Sequence, residues 1–137
     1  MIDIDIALVT RLTTTAAVTA LIGTRMHPLR LPDTPAFPAI TYQAISAPIN
    51  ATMDESSGNA LTHARYQVDC WAINYAGSVA LAKAVFDALH GFSGVVTKGA
   101  DTFTIQACLR VDKRQNDDPE TSLWWCSQDF VLWYQGG

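Results

Sequence analysis

The stretch of this chain with the most reactive side chains is RYQVDCWA, from Arg65 to Ala72. It places Asp69 beside Cys70, and His63 stands two residues before it. A cysteine nucleophile needs a neighbouring base, so this set of residue types is compatible with a reactive thiol. The same letters alternate as they do in a strand, where adjacent side chains leave opposite faces of the sheet. We therefore expect Cys70 to be a buried packing residue and predict no catalytic residue.

The other candidate ligands and nucleophiles are scattered. Cys108 and Cys126 complete an odd set of three cysteines without a C-x-x-C pair, which predicts neither a disulfide framework nor a zinc site. None of the three histidines has a ligand residue at metal-binding spacing. No G-x-S-x-G, P-loop or dinucleotide fingerprint occurs. We predict no metal, no cofactor and no enzyme activity.

Composition narrows the class of protein. The 137 residues predict a single domain over 1–137, and 49% apolar residues are typical of a globular chain. A net charge of −4 argues against a nucleic-acid-binding protein, because neutralising phosphates needs a surplus of Lys and Arg. No basic leader or long apolar run is seen, so we expect a protein of a reducing compartment with no membrane contact.

Two helical regions are predicted. The first begins near the N-terminus, breaks at Thr13 to Thr15, resumes with Thr14 or Thr15 as cap and ends at Gly23. The segment GSVALAKAVFDALHG predicts the second, with Ser78 as cap and Gly91 as stop. Its apolar stripe is expected to comprise Val79, Ala82, Val85, Phe86 and Leu89. Four prolines between these regions predict an extended crossing segment rather than a central strand.

Strands are predicted by alternation. In ARYQVDCWAIN, Tyr66, Val68, Cys70 and Ala72 share one face, and Arg65, Gln67, Asp69 and Trp71 share the other. In DTFTIQACLRVD the inward residues are expected to be Phe103, Ile105, Ala107, Leu109 and Val111, which leaves Cys108 on the polar face. In the last strand Trp124, Cys126, Phe130, Leu132 and Tyr134 oppose Trp125, Val131 and Trp133. The order of elements predicts an α+β domain of two layers, with a mainly antiparallel β-sheet and helices packed on one face.

Surface residues stand out as candidates for partner contacts. Three tryptophans are expected on outward strand faces, where either a partner or the first helices of the same chain would cover them. Two polar segments, Asn50 to Leu61 and Asp112 to Thr121, are predicted to be long loops that order against a partner. The candidate interface residues are Trp71, Trp125 and Trp133 on the strands, and Met53, Asp54, Glu55, Arg114, Gln115, Asp117 and Asp118 in the loops.

The sequence resembles the tail-completion, or tail-terminator, proteins of long-tailed bacteriophages. The resemblance is carried, in order, by ALIGTRMHPLRLP, FPAITYQAIS and ARYQVDCWAINYAGSVALAKAVFDALHG. These matching parts cover roughly residues 5 to 92, and the remaining strands fit in order and length. The resemblance rests on hydrophobic and turn residues and not on a catalytic signature.

The resemblance implies a structural virion protein at the head-proximal end of the tail, assembled in the host cytoplasm. Such a protein forms a homo-oligomeric ring, typically a hexamer, which caps the tail tube, stops its polymerisation and joins it to the connector of the head. DNA would pass the channel without specific binding, and we expect some acidic residues to face the lumen. The alternatives are a head-completion or neck adaptor protein, a small cysteine-dependent hydrolase and a monomeric ligand-binding domain.

Overall fold

The computed structural model describes residues 4–46 and 61–135. This part of the chain forms three helices, α1 (Ile4–Thr13), α2 (Ala16–Ile22) and α3 (Tyr75–Leu89). It also forms six strands, β1 (Met26–Pro28), β2 (Ala39–Ser46), β3 (Leu61–Ala72), β4 (Gly94–Lys98), β5 (Asp101–Asp118) and β6 (Leu123–Gln135). The predicted loop residues Met53, Asp54 and Glu55 lie outside the described residues.

The strands form one sheet in the order β1-β2-β3-β6-β5-β4. Every neighbouring pair is antiparallel except β1 and β2, which run parallel. The proline-rich segment supplies β1 at the edge of the sheet, where the missing N–H of Pro28 interrupts no second ladder. The α+β class with a mainly antiparallel sheet is therefore confirmed.

All three helices pack on one side of the sheet, which we call the inner face. The core there joins α1 and α2 residues such as Leu8 and Ile22 to the α3 residues and to the inward side chains of the strands. Tyr66 on β3 reaches across this layer, and its hydroxyl is hydrogen-bonded to Asp5 of α1. No single described helix is long and apolar enough to span a membrane, although α1 and α2 pass that test as a pair bent by 81°.

The helix break falls where the threonines predict it. The hydroxyls of Thr13, Thr14 and Thr15 donate to carbonyls four residues earlier at 2.8, 2.7 and 2.6 Å. Thr15 occupies the capping position of α2 with extended backbone angles, but its side chain makes no capping bond to α2. Gly23 ends α2 with a φ of 59°, a backbone conformation that glycine adopts without steric cost.

The start of α3 differs from the prediction. Asn74 is the N-cap and accepts a hydrogen bond from the backbone N–H of Gly77 at 2.6 Å. Ser78 lies one turn further in, fully buried, and its hydroxyl donates to the carbonyl of Tyr75. Val79 and Phe86 are only half-buried. The stripe that faces the sheet consists of Leu81, Ala82, Val85, Ala88 and Leu89.

The alternation along β5 was predicted wrongly beyond Ile105. The register with β6 shifts by one residue between Ile105 and Ala107, so the side chains from Ala107 to Arg110 lie on the opposite face from the predicted one. As a result Cys108 is fully buried on the inner face, whereas Leu109 and Val111 are 45% and 49% exposed. A second shift, between Arg110 and Asp112, changes the faces again.

The prediction of a loop from Asp112 to Thr121 is also wrong, because most of this segment belongs to β5. β5 continues to Asp118, which pairs with Leu123, and only four residues separate it from β6. Charged residues are typical of an edge strand, where they oppose unwanted pairing with other chains. The polar side chains between Asp112 and Asp118 therefore suit the edge of a sheet. Pairing with β6 holds this segment in a strand.

Candidate assembly surface

The side of the sheet opposite the helices carries the candidate site, and we call it the outer face. Its side chains come from the odd-numbered residues of β3 and β6, with neighbours on β2 and β5. No described helix covers it, since all three helices contribute to the core on the inner face. The outward direction predicted for Trp71, Trp125 and Trp133 is correct.

Two of the tryptophans form a pair at one end of the outer face. Trp71 and Trp125 are register partners, and their rings stack at 4.6 Å between centroids with an interplanar angle of 23°. The indole Nε1 of Trp71 donates to the hydroxyl of Thr41 at 2.9 Å, which fixes the ring over β2. Both tryptophans remain half-buried, so part of this large apolar area still meets solvent.

Trp133 lies at the other end of the outer face. Eight residues of β6 separate it from Trp125, which is about 27 Å along an extended strand. It packs against its register partner His63 with ring centroids 4.6 Å apart. The Nδ1 atom of His63 is buried and lacks a hydrogen-bond partner among the described residues. Exposed Leu109 and half-buried Val131, which pair with each other, extend this apolar end.

An ionic network occupies the middle of the outer face. Asp129 accepts hydrogen bonds from Arg65 at 2.7 and 3.2 Å and from Arg114 at 3.0 Å. Arg114 is also bonded to Asp112, which stands directly opposite Asp129 across the β5–β6 ladder. Like charges in that position repel, so Arg114 holds together two carboxylates that would otherwise oppose the pairing.

Asp129 is the buried member of this network. Its side chain is 7% exposed, compared with 39% for Arg65 and 41% for Arg114. Burial alone would raise the pKa of Asp129, but the hydrogen bonds from the two guanidinium groups outweigh it and hold the pKa below the usual range. The hydrogen bond to Asp129 in turn raises the pKa of Arg114. The carboxylate is therefore ionised at neutral pH and serves as a fixed negative centre.

The other candidate interface residues on β5 lie outside this ionic network. Gln115 points to the inner face, where its amide donates to the Ser78 hydroxyl at 3.0 Å and to the Trp125 carbonyl at 3.3 Å. Asp117 pairs with Trp124 at the end of the ladder. Asp118 accepts from the backbone N–H of Glu120 at 3.0 Å and so supports the turn into β6. Only Arg114 of these four joins the network.

The edge of β5 is open over its second half. β4 pairs only with Asp101 to Ile105, and the end of α3 then supplies two bonds, from Gly91 N–H to the Cys108 carbonyl and from Arg110 N–H to His90 Nδ1. Beyond Arg110 no described strand pairs with the side of β5 that faces away from β6. The N–H of Lys113 donates to the Asp112 carboxylate at 2.8 Å, so this donor points away from β6. Because donors alternate along a strand, those of Gln115 and Asp117 point the same way.

The cysteines are placed as packing residues. Asp69 and Cys70 leave opposite faces of β3, as predicted, and all three thiols are fully buried. Burial raises the pKa of Cys70 and Cys126, and it raises that of Cys108 to about 12. Thiols held in the protonated form are poor nucleophiles. No group of His, Cys, Asp and Glu among residues 4–46 and 61–135 is arranged to bind a metal ion.

Sequence reasoning missed Arg65 and Asp129 as site residues. Arg65 was assigned to the outward face of β3, but nothing in the sequence links it to a carboxylate 64 residues away. The one signal in the sequence was the acid Asp129, which directly precedes the apolar residues that begin at Phe130. Only the β3–β6 register brings the two side chains together.

Known proteins provide a family match for this chain and a solved structure with a similar fold. A family model described as "Tail completion protein gp17" matches residues 6–135. A chain of a solved structure, "Virion of native gene transfer agent (GTA) particle", superposes with a TM-score of 0.72 at 18% identity. That alignment covers 97% of this chain and 95% of the other, so the two share the fold. No curated protein matches the chain.

Proposed function

Because the chain belongs to the tail completion protein gp17 family and is thus a structural protein of the phage tail, we propose that it is the tail terminator. In this role it forms a ring, a hexamer, at the head-proximal end of the tail, after assembly in the host cytoplasm. The ring caps the tail tube, stops the addition of tube subunits and joins the tail to the connector of the head. It performs no catalysis and takes no cofactor.

The observation that supports a ring is the outer face of the sheet. A stacked tryptophan pair, a second aromatic pair and exposed Leu109 lie on a surface that no described helix covers. Large aromatic side chains of this kind are enriched where surfaces become buried against partners. A neighbouring copy that covered it would bury on the order of 1,200–2,000 Å² in a stable interface.

A closed ring requires two different contact surfaces on each copy, because the same head-to-tail contact repeats around it. The open edge of β5 from Lys113 to Asp117 is the second candidate surface. It offers backbone donors and acceptors in line, which a strand of the next copy would pair. We therefore assign the outer face and the β5 edge to the contacts between copies, with Trp71, Trp125, Trp133, Arg114 and Asp117 as the residues that take part.

The charge of the chain fits passage of DNA without binding. The net charge is −4, and on the outer face Arg65 and Arg114 are already paired with carboxylates. Phosphate contacts would have to break these pairs, so these two arginines offer DNA no free positive charge. This supports a channel that DNA crosses without being held.

Size-exclusion chromatography with light scattering, followed by negative-stain imaging, tests the proposal. We expect a ring of six copies, either for the protein alone or after addition of tube protein, and arrest of tube growth when the ring is present. Rings that bind the connector but leave tube growth unchanged would assign the protein to the neck instead. A monomer under all these conditions would refute the ring. Cys70→Ser should leave the outcome unchanged under reducing conditions, because the thiol is buried on the inner face, away from both proposed contact surfaces.

A further inference from the structure

Two of the three cysteines face each other across the centre of the sheet. Cys70 on β3 and Cys126 on β6 are register partners, and both are fully buried on the inner face. Opposed residues of an antiparallel pair have Cα atoms about 4.5 or 5.5 Å apart, depending on the type of pair. Both values lie within the range of about 4.4–6.8 Å that disulfides span. The backbone therefore already holds these two residues at bonding distance.

Gln128 of β6 contacts the Cys70 thiol. Gln128 lies two residues from Cys126 on the same face of β6, and its amide nitrogen is 3.9 Å from the Sγ atom of Cys70. The same amide donates to the Ala82 carbonyl at 3.0 Å, and its oxygen accepts from Arg110 at 2.9 Å, so the side chain is fixed. This contact places the Cys70 sulfur beside a β6 side chain on the inner face, two residues along β6 from Cys126.

The third cysteine is out of reach of both. Cys108 pairs with Leu132, which lies six residues along β6 from Cys126. Six residues of strand extend over about 20 Å, far beyond the roughly 7 Å between Cα atoms that a disulfide tolerates. The fold thus permits one disulfide and excludes the other two pairings.

We propose that Cys70 and Cys126 form an intrachain disulfide when the chain meets a disulfide oxidant such as oxidised glutathione, and that this bond locks β3 to β6. In the first step one protein thiolate attacks a glutathione sulfur, which forms a mixed disulfide and releases one glutathione thiol. In the second, the other protein thiolate attacks the protein sulfur of that mixed disulfide and releases the second glutathione thiol. The protein loses two hydrogens, and the oxidant takes up both electrons and both protons.

The bond is latent because the native core protects both thiols. Each is fully buried, and burial raises the pKa of both, so neither forms a thiolate in contact with solvent. Oxidation therefore proceeds while the chain folds or while β3 and β6 transiently separate. In a reducing compartment the pair stays as two thiols, and it becomes a candidate for oxidation once the protein is outside one. This inference does not depend on the proposed ring.

Refolding under defined redox conditions tests the proposal. The full chain is unfolded in urea with dithiothreitol and refolded either in reduced glutathione or in a mixture with oxidised glutathione. Remaining thiols are then alkylated in denaturant, and the protein is digested with trypsin. The three cysteines fall in separate tryptic peptides, Tyr66–Lys83, Gly99–Arg110 and Gln115–Gly137. We expect the first and third to be linked, in a chain about 2 Da lighter than the reduced one, with Cys108 alkylated.

Variants and spectroscopy complete the test. Cys108→Ser should still form the link, whereas Cys70→Ser should abolish it and leave Cys126 open to alkylation. The oxidised protein should keep the aromatic bands of the near-ultraviolet circular dichroism spectrum, because the bond joins residues that are already opposed. Three outcomes would overturn the inference: alkylation of all three cysteines after oxidative refolding, a link or stable glutathione adduct at Cys108, or loss of the aromatic bands on oxidation.

Discussion

Replacement of Asp129 by Asn tests whether the ionic network stabilises the sheet. Three charge-assisted hydrogen bonds converge on this carboxylate, and such bonds contribute about 1.5–3 kcal/mol each when both groups are shielded. Here the two guanidinium groups are 39% and 41% exposed, so solvent screening reduces each bond to about 1 kcal/mol. Loss of the repulsion with the opposed Asp112 returns up to about 1 kcal/mol. We therefore expect Asp129→Asn to lower the free energy of unfolding by about 2 kcal/mol.

The difference in unfolding free energy between wild type and Asp129→Asn should also depend on pH, which provides a second and independent test. The pKa of Asp129 is lower in the folded than in the unfolded chain, so its contribution is complete above the ordinary carboxyl pKa. As the pH falls through the lowered folded value, the carboxyl group becomes protonated and the contribution is lost. The gap between wild type and Asp129→Asn should therefore be constant from pH 7 to about 5 and should shrink below about 4.

Urea unfolding followed by tryptophan fluorescence, repeated between pH 3 and pH 7, measures both effects. The matched control is Asp87→Asn, which removes an exposed pair with Lys83 whose side chains are 57% and 75% exposed. Such a pair within one helix contributes on the order of 0.3 kcal/mol, so this variant should match wild type at every pH. A gap for Asp129→Asn that equals the control, or that persists unchanged at the lowest pH, would refute the reasoning.

The remaining predictions concern assembly and follow from the surfaces described. Asp117→Pro removes a backbone donor that points away from β6 and should prevent ring formation, whereas Asp117→Ala keeps the donor and should still form rings in light scattering. Trp125→Ala should keep the fold by circular dichroism but weaken assembly by roughly 10-fold or more in a dilution series, since it removes half of the stacked pair. Deletion of Met53 to Gly58 should leave the fold standing and impair binding to tube or connector in a pull-down assay; an unfolded product would show that the segment is structural.

The two central strands could be predicted because their alternation is regular. From Ala64 to Cys70 the apolar and polar side chains alternate without interruption, and β3 pairs with β6 over its whole length without a register shift. Where a ladder is regular, side-chain direction follows from the sequence alone. This correctly placed Cys70 inside and Trp71 outside, with the Asp69 carboxylate on the opposite face from the Cys70 thiol.

β5 could not be predicted in the same way because its faces depend on a second strand. The two register shifts, after Ile105 and after Arg110, exist only relative to β6 and have no marker in the sequence of β5 itself. Local composition was also misleading from Asp112 onward, where charged and amide residues are typical of a loop. This segment nevertheless continues the 18-residue strand β5, because its pairing with β6 outweighs the weak intrinsic preference of these residues for a strand.

The opposite faces of the sheet are stabilised by different interactions, and this difference bears on assembly. The inner face buries aliphatic side chains against three helices, which removes apolar area from water within one copy. The outer face has no such layer, and it instead holds its strands together through Asp129 and two arginines, with aromatic pairs at either end. An ionic centre tolerates solvent while a copy is free, whereas exposed tryptophan area favours association. A surface of this composition suits a protein that must be stable as a free subunit and also bind its neighbours.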